Sequence, residues 1–258
     1  MLALRSLAFN LCFYLATTVI ATVGLPALAS RRGVLRVARL WGRVSLWLLH
    51  HVAGTEVEFR GRENIPPGPL LVAAKHQSAL ETLALCVVFP EFAYVLKREL
   101  LAIPLLGWFF SRGGMVAIDR SKGTRAMSLM NASAARAVAE GAQLIVFPEG
   151  TRRAPGAPPA YKQGLSHLYV ALGVPCQPVA LNTGLFWSRN SLTRRPGKAV
   201  IEFLPPIAPG LPRTEFQTLV QDRIEAASNA LMGRGLSDLA GAGYEVAPEE
   251  APAATNRS

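Results

Sequence analysis

Cysteine and histidine are scarce in this chain of 258 residues, with 3 Cys and 4 His. Cys12, Cys86 and Cys176 are odd in number, lie in apolar runs and show no CxxC spacing, so neither a disulfide framework nor a zinc site is expected. They read as small core residues. His50, His51, His76 and His167 form no H-E-x-x-H or comparable ligand pattern, and no catalytic metal is expected. Charge is thin too: 17% of residues are charged against 50% hydrophobic, which excludes an intrinsically disordered chain. Acidic residues are the scarcer sign, 17 against 27 Lys plus Arg, leaving a net charge of +10. A mean hydropathy of +0.26 is high for a soluble domain and points to contact with lipid. The length suits one ordinary domain with an appendage, and no internal repeat is present.

From Ser6 to Ser30 no residue is charged, and at about 1.5 Å per residue this run covers more than the ~30 Å hydrocarbon core of a bilayer. Arg5 and the A-x-A-like Ala27-Leu28-Ala29 also fit a secretory signal peptide, but the apolar run exceeds a signal h-region of roughly 15 residues. A retained anchor is the preferred reading. Next, Arg32, Arg36, Arg39 and Arg43 fall on one helical stripe, with Val34, Val37, Trp41, Val44 and Leu48 opposite. Such a helix suits an anionic membrane surface, and by the positive-inside rule its arginines keep the following domain cytoplasmic. An ordinary amphipathic helix packed on the domain is the alternative. A nucleic-acid partner is not expected, because the basic cluster is tied to apolar sequence rather than to polar base-reading residues.

Beyond Gly54, short apolar runs (Val57–Phe59, Leu70–Ala74, Met115–Ile118, Leu144–Phe147, Gln177–Leu181, Val200–Phe203) read as strands. They alternate with helix-like stretches at Ser78–Val88, Lys122–Glu140, Gly164–Leu172 and Thr214–Met232. This predicts an α/β domain with a largely buried sheet. Residues 1–54 are expected to form membrane-anchoring helices, 55–235 the α/β domain, and 236–258, with little apolar periodicity, a loosely ordered tail.

His76 follows the strand-like LLVAA and stands five residues before Glu81, as H-x-x-x-x-E. A carboxylate on one imidazole nitrogen would leave the other free as a general base. The pairing requires His76 to lie in the loop before the helix, since five helical residues at about 100° each would turn the two side chains some 140° apart. Ser78-x-x-Glu81 is also a capping-box pattern, on which account Glu81 merely starts a helix. The stretch LIVFPEGTRR from Leu144 to Arg153 is a buried-strand pattern ending in a turn with two arginines. Gly150 permits close backbone approach there, and a guanidinium fork suits a phosphate monoester; a surface turn with solvated arginines is the bland alternative. Lys97-Arg98-Glu99-Leu100 and Ile118-Asp119-Arg120 supply further cations near apolar sequence. Gly164-Leu165-Ser166-His167-Leu168 nearly matches the serine-hydrolase elbow but lacks its last glycine.

In this order, KHQSALET around His76, KRELLAIPLLGWFF from Lys97, VFPEGTR from Val146 and VPCQPVALN from Val174 resemble the glycerolipid acyltransferase family. The resemblance spans about residues 55 to 210 and is strongest to bacterial 1-acyl-sn-glycerol-3-phosphate acyltransferases. The family's first block normally ends in Asp, where this chain has Glu81. The resemblance implies that His76 takes the proton from a lysophospholipid hydroxyl as it attacks an acyl thioester, with Glu81 orienting His76. It also implies phosphate contacts from Lys97 and from Glu149, Gly150, Thr151 and Arg152, with Arg120 as a helper. It implies no cofactor beyond acyl-CoA or acyl-carrier protein as co-substrate, membrane lipids as partners, and a bacterial inner membrane location with the catalytic domain facing the cytoplasm. Alternatives are a lyso-ornithine lipid or other lysophospholipid as acceptor, a serine esterase using Ser166 or Ser78, and a non-enzymatic membrane adaptor.

Overall fold

Leu70–Ala74 is apolar at all five positions and wholly buried, the pattern of a strand covered on both faces. In the computed structural model, which describes residues 1–119 and 123–244, this segment is β2 at the centre of a sheet of seven strands. The others are β1 (Thr55–Arg60), β3 (Phe92–Lys97), β4 (Val116–Ile118), β5 (Gln143–Val146), β6 (Cys176–Leu181) and β7 (Gly197–Phe203), in the spatial order β1-β7-β6-β2-β5-β3-β4. All neighbours pair in parallel except β6 and β7.

The twofold alternation of β2 divides the core. Leu71 and Ala73 face α5 (Gly123–Ala139), α6 (Gly164–Leu172) and α7 (Arg213–Gly241), whereas Leu70, Val72 and Ala74 face α2 (Arg31–Leu48) and α3 (Leu80–Val88). Helix α4 (Leu106–Arg112) precedes β4. The expected strand at Leu70–Ala74 and helix at Gly164–Leu172 have the observed bounds, and the expected helix at Ser78 begins two residues later, at Leu80. Strand β3 and helix α4 were not anticipated. Phe92–Lys97 is buried at its start and exposed at Lys97, so it has neither a buried run nor a clean alternation, and α4 is too short for helical periodicity.

The expected tail boundary at 235 is corrected. Helix α7 continues through Gly241, and Leu231, Gly235 and Leu239 continue its buried stripe. Gly235 belongs there because a Cβ would lie 2.8 Å from both Asn182 Nδ2 and Leu185 Cδ1. The residue that looks like a helix breaker in sequence is a point of close approach in the fold. Residues 245–258 lie outside the described residues.

Helix α1 (Leu2–Val23) has a mean hydropathy of 1.7 and is long enough to cross a membrane. It does not project away from the domain. Phe9 is fully buried with its ring 5.3 Å from Trp187, the Asn10 amide donates to the Leu192 carbonyl at 2.8 Å, and the Ser6 hydroxyl accepts from the Arg194 amide at 2.9 Å. The opposite side of α1 carries exposed Leu4, Leu7, Leu11, Leu15 and Val19. Helix α2 follows with the predicted two faces: Val34 and Leu48 are buried, whereas Arg32, Arg36 and Arg43 are exposed and Arg39 half-buried. Its apolar face is therefore spent on the domain, and lipid would meet its arginines together with exposed Leu40 and Trp47. Arg31 is not part of that surface, for it pairs with Glu91 at 2.6 Å.

Candidate active site

Strand β2 ends at Ala74, and the next residues form an extended loop before α3 starts at Leu80. That loop brings His76 and Glu81 together: His76 Nδ1 lies 2.8 Å from Glu81 Oε1. The same oxygen accepts from the backbone amides of Gln77 at 2.8 Å and Ser78 at 2.6 Å, while Oε2 accepts from the Thr183 hydroxyl at 2.7 Å. Glu81 is fully buried, so these donors stand in for water around a carboxylate. Capping and catalytic readings coexist in one side chain. Half of the capping box differs from expectation, since the Ser78 hydroxyl accepts from the Leu80 amide rather than from the amide of Glu81.

With Nδ1 donating to a carboxylate, Nε2 is the basic nitrogen. It has no hydrogen-bond partner among the described residues, and the ring lines a cavity of about 760 Å³. Phe147 stacks on the imidazole at 3.9 Å between centroids, fixing the ring plane. Lys97, Gly150, Thr151 and Arg152 also line the cavity, as do Lys162 and Arg189, and no Asp or Glu is among its described lining residues. Lys97 and Arg152 have no ion-pair partner among the described residues. Gly150 takes a φ of +65° at the turn after β5, a conformation that costs a glycine little.

Glu149 departs from the expected placement. It is buried away from the cavity wall, with Oε1 accepting from Lys75 Nζ at 3.0 Å and Oε2 from the His76 amide at 3.2 Å. A carboxylate facing the cavity would repel a phosphate; turned inward, it ties the Arg152 turn to the histidine loop. The Arg153 amide donates to the His76 carbonyl at 2.8 Å, so the backbone of His76 is held on both sides by the Glu149–Arg153 segment. Lys75 also donates to Glu225 of α7 at 2.6 Å. Burial holds the Glu149 carboxyl above the usual carboxylate range, opposed by the Lys75 ammonium. Arg120 lies outside the described residues.

The serine alternatives lose their geometry. Ser166 is fully buried with its hydroxyl donating to the Gln163 carbonyl at 2.9 Å, and Ser78 is fully buried as a cap on Leu80. The Val174–Asn182 block supplies β6, which is buried throughout. Asn182 ends that block by accepting from the Val200 amide and donating to the Leu231 carbonyl, a structural role. Thr183, Lys75 and Arg189 are the site residues that sequence reasoning missed. Their contacts span long sequence separations, and no local spacing signals them.

Residues 56–182 match the Acyltransferase family model. A 1-acyl-sn-glycerol-3-phosphate acyltransferase of Pseudomonas aeruginosa is 35% identical over 76% of this chain and 77% of its own length. The chain belongs to the acyltransferase family. The mouse 1-acyl-sn-glycerol-3-phosphate acyltransferase alpha is 30% identical over 78% of this chain and 72% of that protein. The crystal structure of the 1-acyl-sn-glycerophosphate acyltransferase PlsC of Thermotoga maritima superposes with a TM-score of 0.76 at 26% identity, covering 90% of this chain and 98% of that one. The expected fold class, an α/β glycerolipid-acyltransferase-like domain with an N-terminal hydrophobic helix, is the observed one.

A second, apolar chamber of about 90 Å³ adjoins the cavity. Thr82, Tyr94, Leu106 and Phe110 line both, and the chamber runs on beneath α1 and α2 to Ile20, Val34 and Trp41. It offers almost no polar surface, so it favours an apolar group over a charged one.

Proposed function

We propose that this acyltransferase forms phosphatidic acid by moving a fatty acyl group from a thioester to the free sn-2 hydroxyl of 1-acyl-sn-glycerol-3-phosphate. The observation that carries this reading is the His76–Glu81 pair with its free Nε2 opening onto a cavity that holds Lys97 and Arg152 and adjoins an apolar chamber. His76 Nε2 removes the hydroxyl proton as the oxygen attacks the thioester carbonyl. The imidazolium is stabilised by Glu81 across the Nδ1 contact. Collapse of the tetrahedral intermediate breaks the C–S bond, and the thiolate recovers the proton from Nε2. No covalent acyl-enzyme is needed, because a thioester already carries a good leaving group and both substrates are held together. Lys97 and Arg152, with the Gly150 and Thr151 turn, grip the acceptor phosphate.

Acyl-CoA or acyl-carrier protein supplies the acyl group from the aqueous side. The protein sits on the inner membrane of a bacterium with its catalytic domain in the cytoplasm, and α1 lies in the membrane plane rather than across it. Its docked inner face and exposed Leu4, Leu7, Leu11, Leu15 and Val19 favour this placement. The test is acyl transfer by purified protein in detergent, with labelled acyl-CoA and acyl-carrier protein offered against lysophosphatidic acid and lyso-ornithine lipid. Phosphatidic acid formed by the parent and lost in His76→Ala is the expected result. Transfer only to the phosphate-free acceptor would overturn the acceptor assignment, and undiminished activity of His76→Ala would overturn the histidine mechanism.

A further inference from the structure

Two of the four cations on the cavity wall, Lys97 and Arg152, lie in the blocks that resemble the family. Arg189 does not, since the family match ends at residue 182. It is exposed, lies in the loop between Leu185 and β7, and donates from Nη1 to the Arg152 carbonyl at 2.9 Å. Its remaining guanidinium donors have no partner among the described residues. The next residue, Asn190, also lines the cavity and holds a φ of +58°, a left-handed turn conformation that asparagine adopts more readily than other non-glycine residues.

The loop is fixed on its far side to α1. Arg194 is 3% exposed; its Nη2 donates to Asn10 Oδ1 at 2.9 Å and its guanidinium carbon lies 4.2 Å from the Trp187 ring centroid. The Leu192 carbonyl accepts from Asn10 as well. Arg189 is thus carried on a segment braced between the apolar N-terminal helix and the cavity.

A phosphomonoester carries a charge of about −1.5 to −2 at neutral pH on three terminal oxygens, whereas a phosphodiester headgroup carries one charge on two. Lys97 and Arg152 match the second; Lys162, the other cation on the wall, is already engaged in another interaction, so Arg189 beside Arg152 is the cation left to match the first. We infer that Arg189 is a specificity residue that completes the site for a phosphomonoester acceptor and disfavours lysophospholipids with a diester headgroup. This rests on the acceptor reading above and deepens it. The Arg152 carbonyl orients the Arg189 guanidinium, and its free donors meet the third phosphate oxygen.

The experiment is steady-state kinetics on the full-length protein in detergent, comparing parent, Arg189→Ala and Arg189→Lys with lysophosphatidic acid and with lysophosphatidylglycerol. A lost charged hydrogen bond predicts that Arg189→Ala raises KM for lysophosphatidic acid by about tenfold, with kcat changing far less. The preference for lysophosphatidic acid over lysophosphatidylglycerol, as a ratio of kcat/KM, falls by a similar factor, and Arg189→Lys recovers part of it. An unchanged KM for lysophosphatidic acid, an equal rise for both acceptors, or a rise confined to the acyl donor would each overturn the assignment of Arg189. A parent that acylates no phosphomonoester would instead overturn the acceptor reading, and the inference with it.

Discussion

The Thr183 hydroxyl donates to Glu81 Oε2 at 2.7 Å across 102 residues of sequence, joining the turn after β6 to the first turn of α3. The contact occupies the carboxylate oxygen that His76 does not use, so it sets the direction in which Oε1 presents itself to the imidazole. Thr183→Val keeps the volume but leaves a buried carboxylate oxygen unpartnered, which costs about 1–3 kcal/mol of stability. The expected kinetic result is a lower kcat with little change in KM for the acceptor, and recovery in Thr183→Ser. Unfolding and kinetics measured on both variants check this; a Thr183→Val enzyme with parental kcat would show that Glu81 needs no help from Thr183.

Glu81 stands where the family normally carries Asp, and the surroundings are built for the longer side chain. Its Oε1 takes two amides and the imidazole while Oε2 reaches Thr183. Glu81→Asp is therefore expected to act as a partial defect, although it restores the family's usual residue, because the carboxylate withdraws by one methylene from at least one partner. Glu81→Gln removes the charge that stabilises the imidazolium and is expected to lower kcat by about 10²- to 10⁴-fold. Activity of Glu81→Asp above the parent would mean that the longer arm is a handicap rather than a fit.

What was legible in the sequence was local. His76 and Glu81 are five residues apart, so a helix that starts after His76 decides their meeting; the apolar run indicates such a helix, although it begins at Leu80 rather than at Ser78 as the cap pattern suggests. The central strand β2 was legible because burial on both faces removes every polar residue from it. Contacts between segments distant in sequence carry no such signature: Lys75 meets Glu225 over 150 residues and Arg189 meets Arg152 over 37. The end of α7 differs from expectation for a related reason. Gly233, Gly235 and Gly241 argue against a helix on propensity, but packing of Leu231 and Leu239 on the domain overrides it.

Lys75 serves two carboxylates from within the core, its side chain 3% exposed and that of Glu149 fully buried. Removing the ammonium in Lys75→Met leaves Glu149 and Glu225 facing each other without a counter-charge, which is expected to cost about 3–5 kcal/mol. Burial already raises the Glu149 carboxyl, and Lys75 opposes that rise, so its loss drives the group higher still. A carboxyl whose folded pKa is raised favours the native state at low pH and loses that contribution as pH climbs through the folded value. The deficit of Lys75→Met relative to the parent should therefore shrink on acidification towards pH ~4.5 and widen above it. Denaturant unfolding at a series of pH values measures this directly, and a deficit independent of pH would remove the ion-pair explanation.

On the membrane placement proposed above, binding divides into an apolar and an electrostatic part carried by different helices. The exposed stripe Leu4, Leu7, Leu11, Leu15 and Val19 on α1 can enter any bilayer, whereas exposed Arg32, Arg36 and Arg43, with half-buried Arg39, distinguish anionic from neutral lipid. Near an anionic surface each basic residue contributes about 1 kcal/mol. Reversing these four arginines to glutamate should weaken binding to anionic vesicles by at least about 100-fold, because attraction is replaced by repulsion. Binding to neutral vesicles should change little. The fold should survive, since the α2 residues that pack on the domain, Val34, Leu35 and Leu48, are untouched. Vesicle flotation with the two lipid compositions separates the contributions. Equal affinity of the reversed variant for anionic vesicles would assign the whole interaction to α1, and a matching loss on neutral vesicles would show that the arginines act through the packing of α2 rather than through lipid charge.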